Sequence, residues 1–166
     1  MRYLIITYLQ KVIMRTLSSG LIVIEAESAS GAKELLGKAS SKETLQLFDP
    51  KSVFSIEHLM LAYENATIAF KNHTNRSRSK STEMLLFASA QRQISEAIRL
   101  SGAKEGSRFI LFTDSGKALK RIYPLLINKK PASEIEYGGI SAMKRLGIEG
   151  SELADIAQAI AISGLQ

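Results

Sequence analysis

The sequence predicts an α/β (α+β) domain in which a mixed or mainly antiparallel sheet packs with several helices. Two observations carry this reading. Short β-branched and aromatic runs interleave with segments whose apolar residues recur at helical spacing, yet the long regular strand-helix-strand units of a doubly wound fold are missing. Hydrophobic residues make up 45% and charged residues 23% of the 166, enough for a sizeable core and far from a disordered composition. A single domain over residues 1–166 is expected.

The elements follow in order. Residues 2–9 (RYLIITYL) suit a buried strand better than a signal peptide, because Gln10 and Lys11 interrupt the apolar run. Residues 21–26 (LIVIEA) read as a second strand. Ser28 or Ser30 then caps a helix to about Lys38, with Ala32, Leu35 and Leu36 on one side and Gly37 near its end. Residues 44–48 (TLQLF) alternate as a strand, and Asp49-Pro50 signals a turn. From Ser55 to about Phe70 the spacing is helical, and His58 within it reads as a partly exposed helix residue.

Residues 82–90 and 91–100 predict two consecutive helices, stopped by Gly102. Residues 107–112 (SRFILF) form a strand. Thr113 or Asp114 caps a helix carrying Ala118, Leu119, Ile122 and Tyr123, which Pro124 tightens. Residues 131–137 are expected to be extended, and Gly138-Gly139 precedes a short helix through Leu146. Gly150 and Ser151 introduce the last helix, with Glu152 and Asp155 in its first turns.

The chain has no cysteine, which excludes disulfides, thiolate nucleophiles and cysteine-ligated zinc. No window reaches the ~18 apolar residues of a membrane span. The reading is soluble, intracellular and cytoplasmic, with no membrane partner. His58 and His73 are the only histidines and have no ligand at zinc-site spacing, so no metal is expected. Neither a nucleophile elbow nor a phosphate-binding glycine loop occurs, and the carboxylates are scattered. Glu83 and Glu96 can be read as partners of arginines, a solvated face being the commoner situation. No catalytic residues and no cofactor are expected.

The net charge of +6 is clustered. No acidic residue lies between Glu64 and Glu83, where KNHTNRSRSK supplies Lys71, His73, Arg76, Arg78 and Lys80. Such a run either contacts phosphates or is a solvated loop. It leads into EMLLFASAQRQISEAIRLSG, whose centre sets Arg92 between Gln91 and Gln93. The candidate RNA-binding residues are Arg76, Arg78, Lys80, Gln91 and Arg92, expected on one surface. Single-stranded RNA suits them better than duplex DNA, since arginine and glutamine can stack on and hydrogen-bond splayed bases. In the final helix, Leu153, Ile156 and Ile160 form a stripe beside a smooth strip of Ala154, Ala157 and Ala161. The stripe packs on the protein's own core or binds a partner.

The order of a basic loop, Ser81-Thr82-Glu83-Met84-Leu85-Leu86, the small residues Ala88-Ser89-Ala90, then Gln91-Arg92-Gln93-Ile94, Ala97-Ile98 and Gly102-Ala103 resembles the KEOPS subunit family that includes the human PRPK-binding protein, in its archaeal form. The chain departs from that pattern at Ala90, where a glycine is common, and residues 14–37 fit it least. The resemblance implies a non-catalytic subunit of the complex that installs threonylcarbamoyl-adenosine in tRNA. Such a subunit binds a small kinase-like ATPase through its C-terminal helices, here residues 139–164, and captures the single-stranded CCA end of tRNA. Carried onto this chain, Leu153, Ile156 and Ile160 face the kinase. The alternatives are a small enzyme acting on an anionic substrate and a purely structural interaction module.

Overall fold

A computed structural model describes residues 20–164. The strand expected at residues 2–9 lies outside them. Four strands, β1 (Ile22–Glu27), β2 (Leu45–Phe48), β3 (Phe109–Thr113) and β4 (Ile127–Pro131), form one sheet in the order β2-β3-β1-β4. Every pairing is antiparallel, which resolves the mixed-or-antiparallel expectation. Seven α-helices are described: α1 (Ala32–Leu36), α2 (Ile56–Lys71), α3 (Lys80–Ala88), α4 (Ile94–Ser101), α5 (Gly116–Ile122), α6 (Gly139–Leu146) and α7 (Leu153–Gly164). The fold is α+β.

Strand β3 explains the layering. Successive side chains of a strand point to opposite faces. Ile110 and Phe112 enter one core with Met84 and Leu86 of α3, Met143 of α6 and Ile156 and Ile160 of α7. Phe109 and Leu111 enter a second core with Leu35 of α1 and Ile122 of α5. Helices therefore cover both faces, and the unbroken run FILFT is buried throughout.

Several expectations are corrected by local chemistry. Neither Ser28 nor Ser30 caps α1, whose N-cap is Gly31. The Ser28 hydroxyl instead donates to Leu125 O at 2.8 Å and accepts from Ser30 N. Ser115 caps α5 by accepting from Ala118 N, while the Thr113 hydroxyl donates to Thr44 O. The edge strand β4, INKKP, was hidden by its polarity. Residues 131–137 are not continuously extended, because a 3-10 turn occupies Ala132–Glu134. Lysines and a proline are what an edge strand tolerates and a central one does not.

The expected helices at 82–90 and 91–100 are shorter and separate, with residues 89–93 forming the turn between α3 and α4. Ala90 adopts φ +52, Ala90 N donates to Phe87 O, and Gln91 N donates to Leu86 O at 3.0 Å. This is a Schellman ending with alanine at the left-handed position that normally takes glycine. Helix α6 ends the same way, with Ile148 N donating to Met143 O, but there Gly147 holds the left-handed position at φ +72. Gly102 stops α4 as expected: a side chain there would meet Ile98 O at 2.7 Å.

Candidate functional site

His58 is fully buried, contrary to the expectation of partial exposure. Its Nδ1 accepts from Phe54 N at 3.1 Å and its Nε2 donates to Ala88 O at 2.8 Å. Those roles require the neutral ring. Burial pushes its pKa down to about 4, against the opposing Ala88 hydrogen bond. His58 thereby fastens the start of α2 to the last residue of α3, immediately before the Gln91-Arg92-Gln93 turn. The Ser89 hydroxyl donates to Leu85 O at 2.8 Å, and Gln91 Nε2 donates to Ser89 O. The turn has a defined shape.

The cations of the basic loop divide into two kinds. The Arg76 guanidinium lies over the Phe87 ring, 5.1 Å from its centroid, and donates to Glu83 Oε1 and, at 2.9 Å, to Ser163 O. Glu83 is buried and also accepts from the backbone of Arg76 and Ser77 at 2.9 and 2.8 Å. It is thus a buried partner of an arginine, not part of a solvated face. Glu96, in contrast, forms an exposed pair with Arg99. Lys80 lies 3.0 Å from Asp114 and donates to the Tyr63 hydroxyl, above whose ring it sits. Arg78 and His73 are exposed, and His73 takes the left-handed position that ends α2 at φ 57.

The Lys80–Tyr63–Asp114 cluster is the polar group that most resembles catalytic machinery. Its charges argue otherwise. Burial opposes the lysine's charge, but the hydrogen bond and charge of Asp114 outweigh it and raise the Lys80 pKa. Burial and the Asp114 charge raise that of Tyr63. Burial works against the Asp114 carboxylate, yet hydrogen bonds from Thr44 N and Lys80 hold its pKa below the ordinary value. All three keep their resting protonation states at neutral pH. Thr44 N donates to Asp114 at 2.7 Å, so the cluster clamps β2, β3, α2 and the start of α3 together.

Helix α3 separates Lys80 from the turn, whereas the Arg76 guanidinium reaches Phe87 near the end of that helix. Lys80 begins it and Ala88 ends it, and nine residues at 1.5 Å each span roughly 13 Å. The five RNA candidates are therefore spread along α3, with Arg76 donating to Ser163 on the wall beside Gln91 and Arg92 and Lys80 at the opposite end of the helix. Gln91 and Arg92 line a cleft of about 550 Å³ whose other wall includes Ile148 and, from α7, Gln158, Ala159 and Ile162. Arg92 is exposed and Gln91 half-buried.

On α7, Ile156 and Ile160 are buried in the protein's own core, and Leu153 packs partly against it. Of the two alternatives for this stripe, Ile156 and Ile160 take the one that packs on the chain's own core. With 3.6 residues per turn, the cleft-lining Gln158 and Ile162 mark one flank of α7, and Ala157 and Ala161 lie on the other. Ala161 is exposed and Ala157 half-buried. Sequence periodicity shows the helix and its apolar side, but of the small-residue strip beside that side Ala154 is buried and only Ala157 and Ala161 reach the surface.

A second cleft, of about 580 Å³, was invisible in the sequence. Lys51, Lys104, Arg108, Lys130 and Arg145 line it together with Glu25, Asp49 and Glu136. These residues come from distant segments, and only the fold gathers them. Among the described residues no helix is long and apolar enough to cross a membrane.

The family model of the kinase binding protein CGI-121 matches residues 25–157, a span that holds the second half of β1, the other three strands, α1 to α6 and the first part of α7. No curated protein matches the chain. The matched span covers most of the sequence and includes the α3–α4 turn and the cleft beside it. The chain belongs to the CGI-121 family of kinase-binding proteins.

Proposed function

We propose that this chain is a non-catalytic adaptor subunit of a KEOPS complex, which binds and stimulates the small kinase-like ATPase and captures tRNA at its single-stranded CCA end. The observation that carries the reading is the match to a kinase-binding family over residues 25–157. The two flanks of α7 give it a physical form. The outward flank, with Ala157 and Ala161, is smooth enough for a partner helix to approach closely. Leu153 borders the contact, while Ile156 and Ile160 serve it by fixing α7 to the core. The C-terminal element, residues 139–164, is the docking unit.

The other flank faces RNA. The Gln91 amide and Arg92 guanidinium, opposite Ile148 and Ile162, offer hydrogen bonds and flat or apolar surfaces to splayed bases. Arg78 is an outlying contact at the far end of α3. Arg76 and Lys80, held by Glu83 and Asp114, shape the loop and contribute less to RNA. The resting charges of Lys80, Tyr63 and Asp114 support a binding role over the alternative of a small enzyme acting on an anion.

Two neighbouring residues test the partner half. Ala161→Glu leaves the chain folded and abolishes co-purification with the kinase-like ATPase, because Ala161 is exposed. Ile160→Glu places a carboxylate in the core and unfolds the protein, costing more than about 4 kcal/mol. Retained co-purification by a folded Ala161→Glu chain would contradict the docking surface. For the RNA half, tRNA lacking its CCA end binds far more weakly than intact tRNA, and equal binding would sink the assignment.

A further inference from the structure

The charge balance of the two clefts differs in a way that bears on how an RNA chain could be held. The cleft beside Gln91 and Arg92 sets one cation, Arg92, against Glu149 and Asp155. Asp155 accepts from the backbone of Ser151 and Glu152, so its charge is directed at its own helix start. That cleft offers stacking surfaces and amides but no net positive charge to neutralise a backbone. Phosphate affinity, which dominates nucleic-acid binding, must come from elsewhere.

The second cleft supplies it. It sets five cations against three carboxylates. Two of the carboxylates are directed at arginines: Glu25 Oε1 takes Arg108 at 2.8 Å and Asp49 Oδ2 takes Arg145 at 2.9 Å. Their side chains are largely buried, so these pairs fix the guanidiniums on the cleft wall. Arg145 Nε also donates to Leu100 O at 3.1 Å. Lys104 donates to the last carbonyls of α4, Ile98 O and Arg99 O. The Lys51 ammonium forms no hydrogen bond or ion pair among the described residues and is exposed, and Lys130 reaches Glu25 only at 4.0 Å. Lys51 and Lys130 are therefore the cations most open to a new anion.

The clefts are neighbours. Arg145 lines the charged one and Leu146, the next residue of α6, lines the other. Consecutive Cα atoms are about 3.8 Å apart, so the two clefts meet at the last turn of α6. We infer that the cleft of Lys51, Lys104, Lys130 and Arg145 binds backbone phosphodiesters of the same RNA whose splayed end occupies the Gln91–Arg92 cleft. The division of labour is bases on one side of α6 and phosphates on the other. This rests on the tRNA-capturing reading above and gives that reading its source of salt-dependent affinity.

The test uses the full chain with Lys51, Lys104 and Lys130 changed together, each Lys→Gln, and titrates intact tRNA at several salt concentrations. Affinity for tRNA falls about tenfold or more, and the slope of log affinity against log salt becomes shallower by about 2. Binding of a short CCA-ended oligonucleotide, too short to leave the first cleft, is unchanged, and the chain stays folded. Unchanged tRNA affinity and slope, in a chain whose unaltered form binds tRNA, would overturn the inference alone. No tRNA binding by the unaltered chain would overturn both the inference and the adaptor reading. If the unaltered chain binds free ATP and the triple variant loses that binding while keeping tRNA, the cleft is a nucleotide site and the inference also falls.

Discussion

The two ends of α3 use polar residues in opposite ways. At its start, a loop dense in cations turns half of its four lysines and arginines inward: Arg76 goes to Glu83, Ser163 O and the Phe87 face, and Lys80 goes to Asp114 and Tyr63, while Lys71 and Arg78 stay exposed. At its end, a turn with a single arginine opens into a cleft. Charge density along a sequence therefore does not measure charge available to a ligand. A run of arginines and lysines beside well-placed carboxylates can be structural, while cations scattered from Lys51 to Arg145 can meet in one place.

The contrast can be broken or sharpened by substitution. Glu83→Ala has the largest effect, because it strands the Arg76 guanidinium and the backbone N–H groups of Arg76 and the buried Ser77. It costs about 3 kcal/mol in urea unfolding. A loss below about 1 kcal/mol would mean that the loop is not internally held.

His58 gives an effect of similar size that depends on pH. In the unfolded chain the ring takes a proton near its ordinary value of 6.5, and in the folded chain only near about 4. Stability is thus complete above about pH 6.5 and drains away as pH falls toward 4, by about 3 kcal/mol at the low end. Unfolding midpoints measured across that range check it against a His58→Gln chain, which lacks this dependence. Parallel pH curves for the two would contradict the buried neutral ring.

Ala90→Gly has a smaller effect of the opposite sign. Relief of the left-handed backbone at φ +52 stabilises the turn by about 0.5–1 kcal/mol, after glycine's greater freedom in the unfolded chain is offset. A lower melting temperature would show that the Ala90 methyl packs usefully in the cleft.

Much of the fold was legible because the signals were local. The run FILFT, the helical spacing from Ser55 onward and the stop at Gly102 each depend on neighbours in sequence. What failed depended on distant partners. Thr113 or Asp114 was expected to cap a helix, but both bond to Thr44, 69 and 70 residues away. Ser28 or Ser30 was expected to do the same, but Ser28 instead bonds to Leu125 O and accepts from Ser30 N. His58 read as partly exposed because nothing nearby in sequence shows that Ala88 O will meet its ring. The stripe on α7 was correctly apolar, yet periodicity cannot say whether an apolar side faces the chain's own core or a partner. Strand β4 has neither alternation nor buried residues, so only its pairing to Glu25 and its neighbours reveals it. The Gln91-Arg92-Gln93 turn was visible as an oddity, and its departure from glycine at Ala90 now has a cost attached.

The account stands most directly on which end of α3 receives RNA. Arg78→Ala and Arg92→Ala both alter exposed residues, so each should leave stability within about 0.5 kcal/mol. Titration of CCA-ended tRNA into the two variants decides between the ends. Arg92→Ala is expected to weaken binding about tenfold, with Arg78→Ala close to the unaltered chain. Full binding by Arg92→Ala together with its loss in Arg78→Ala would return the site to the basic loop and contradict the account.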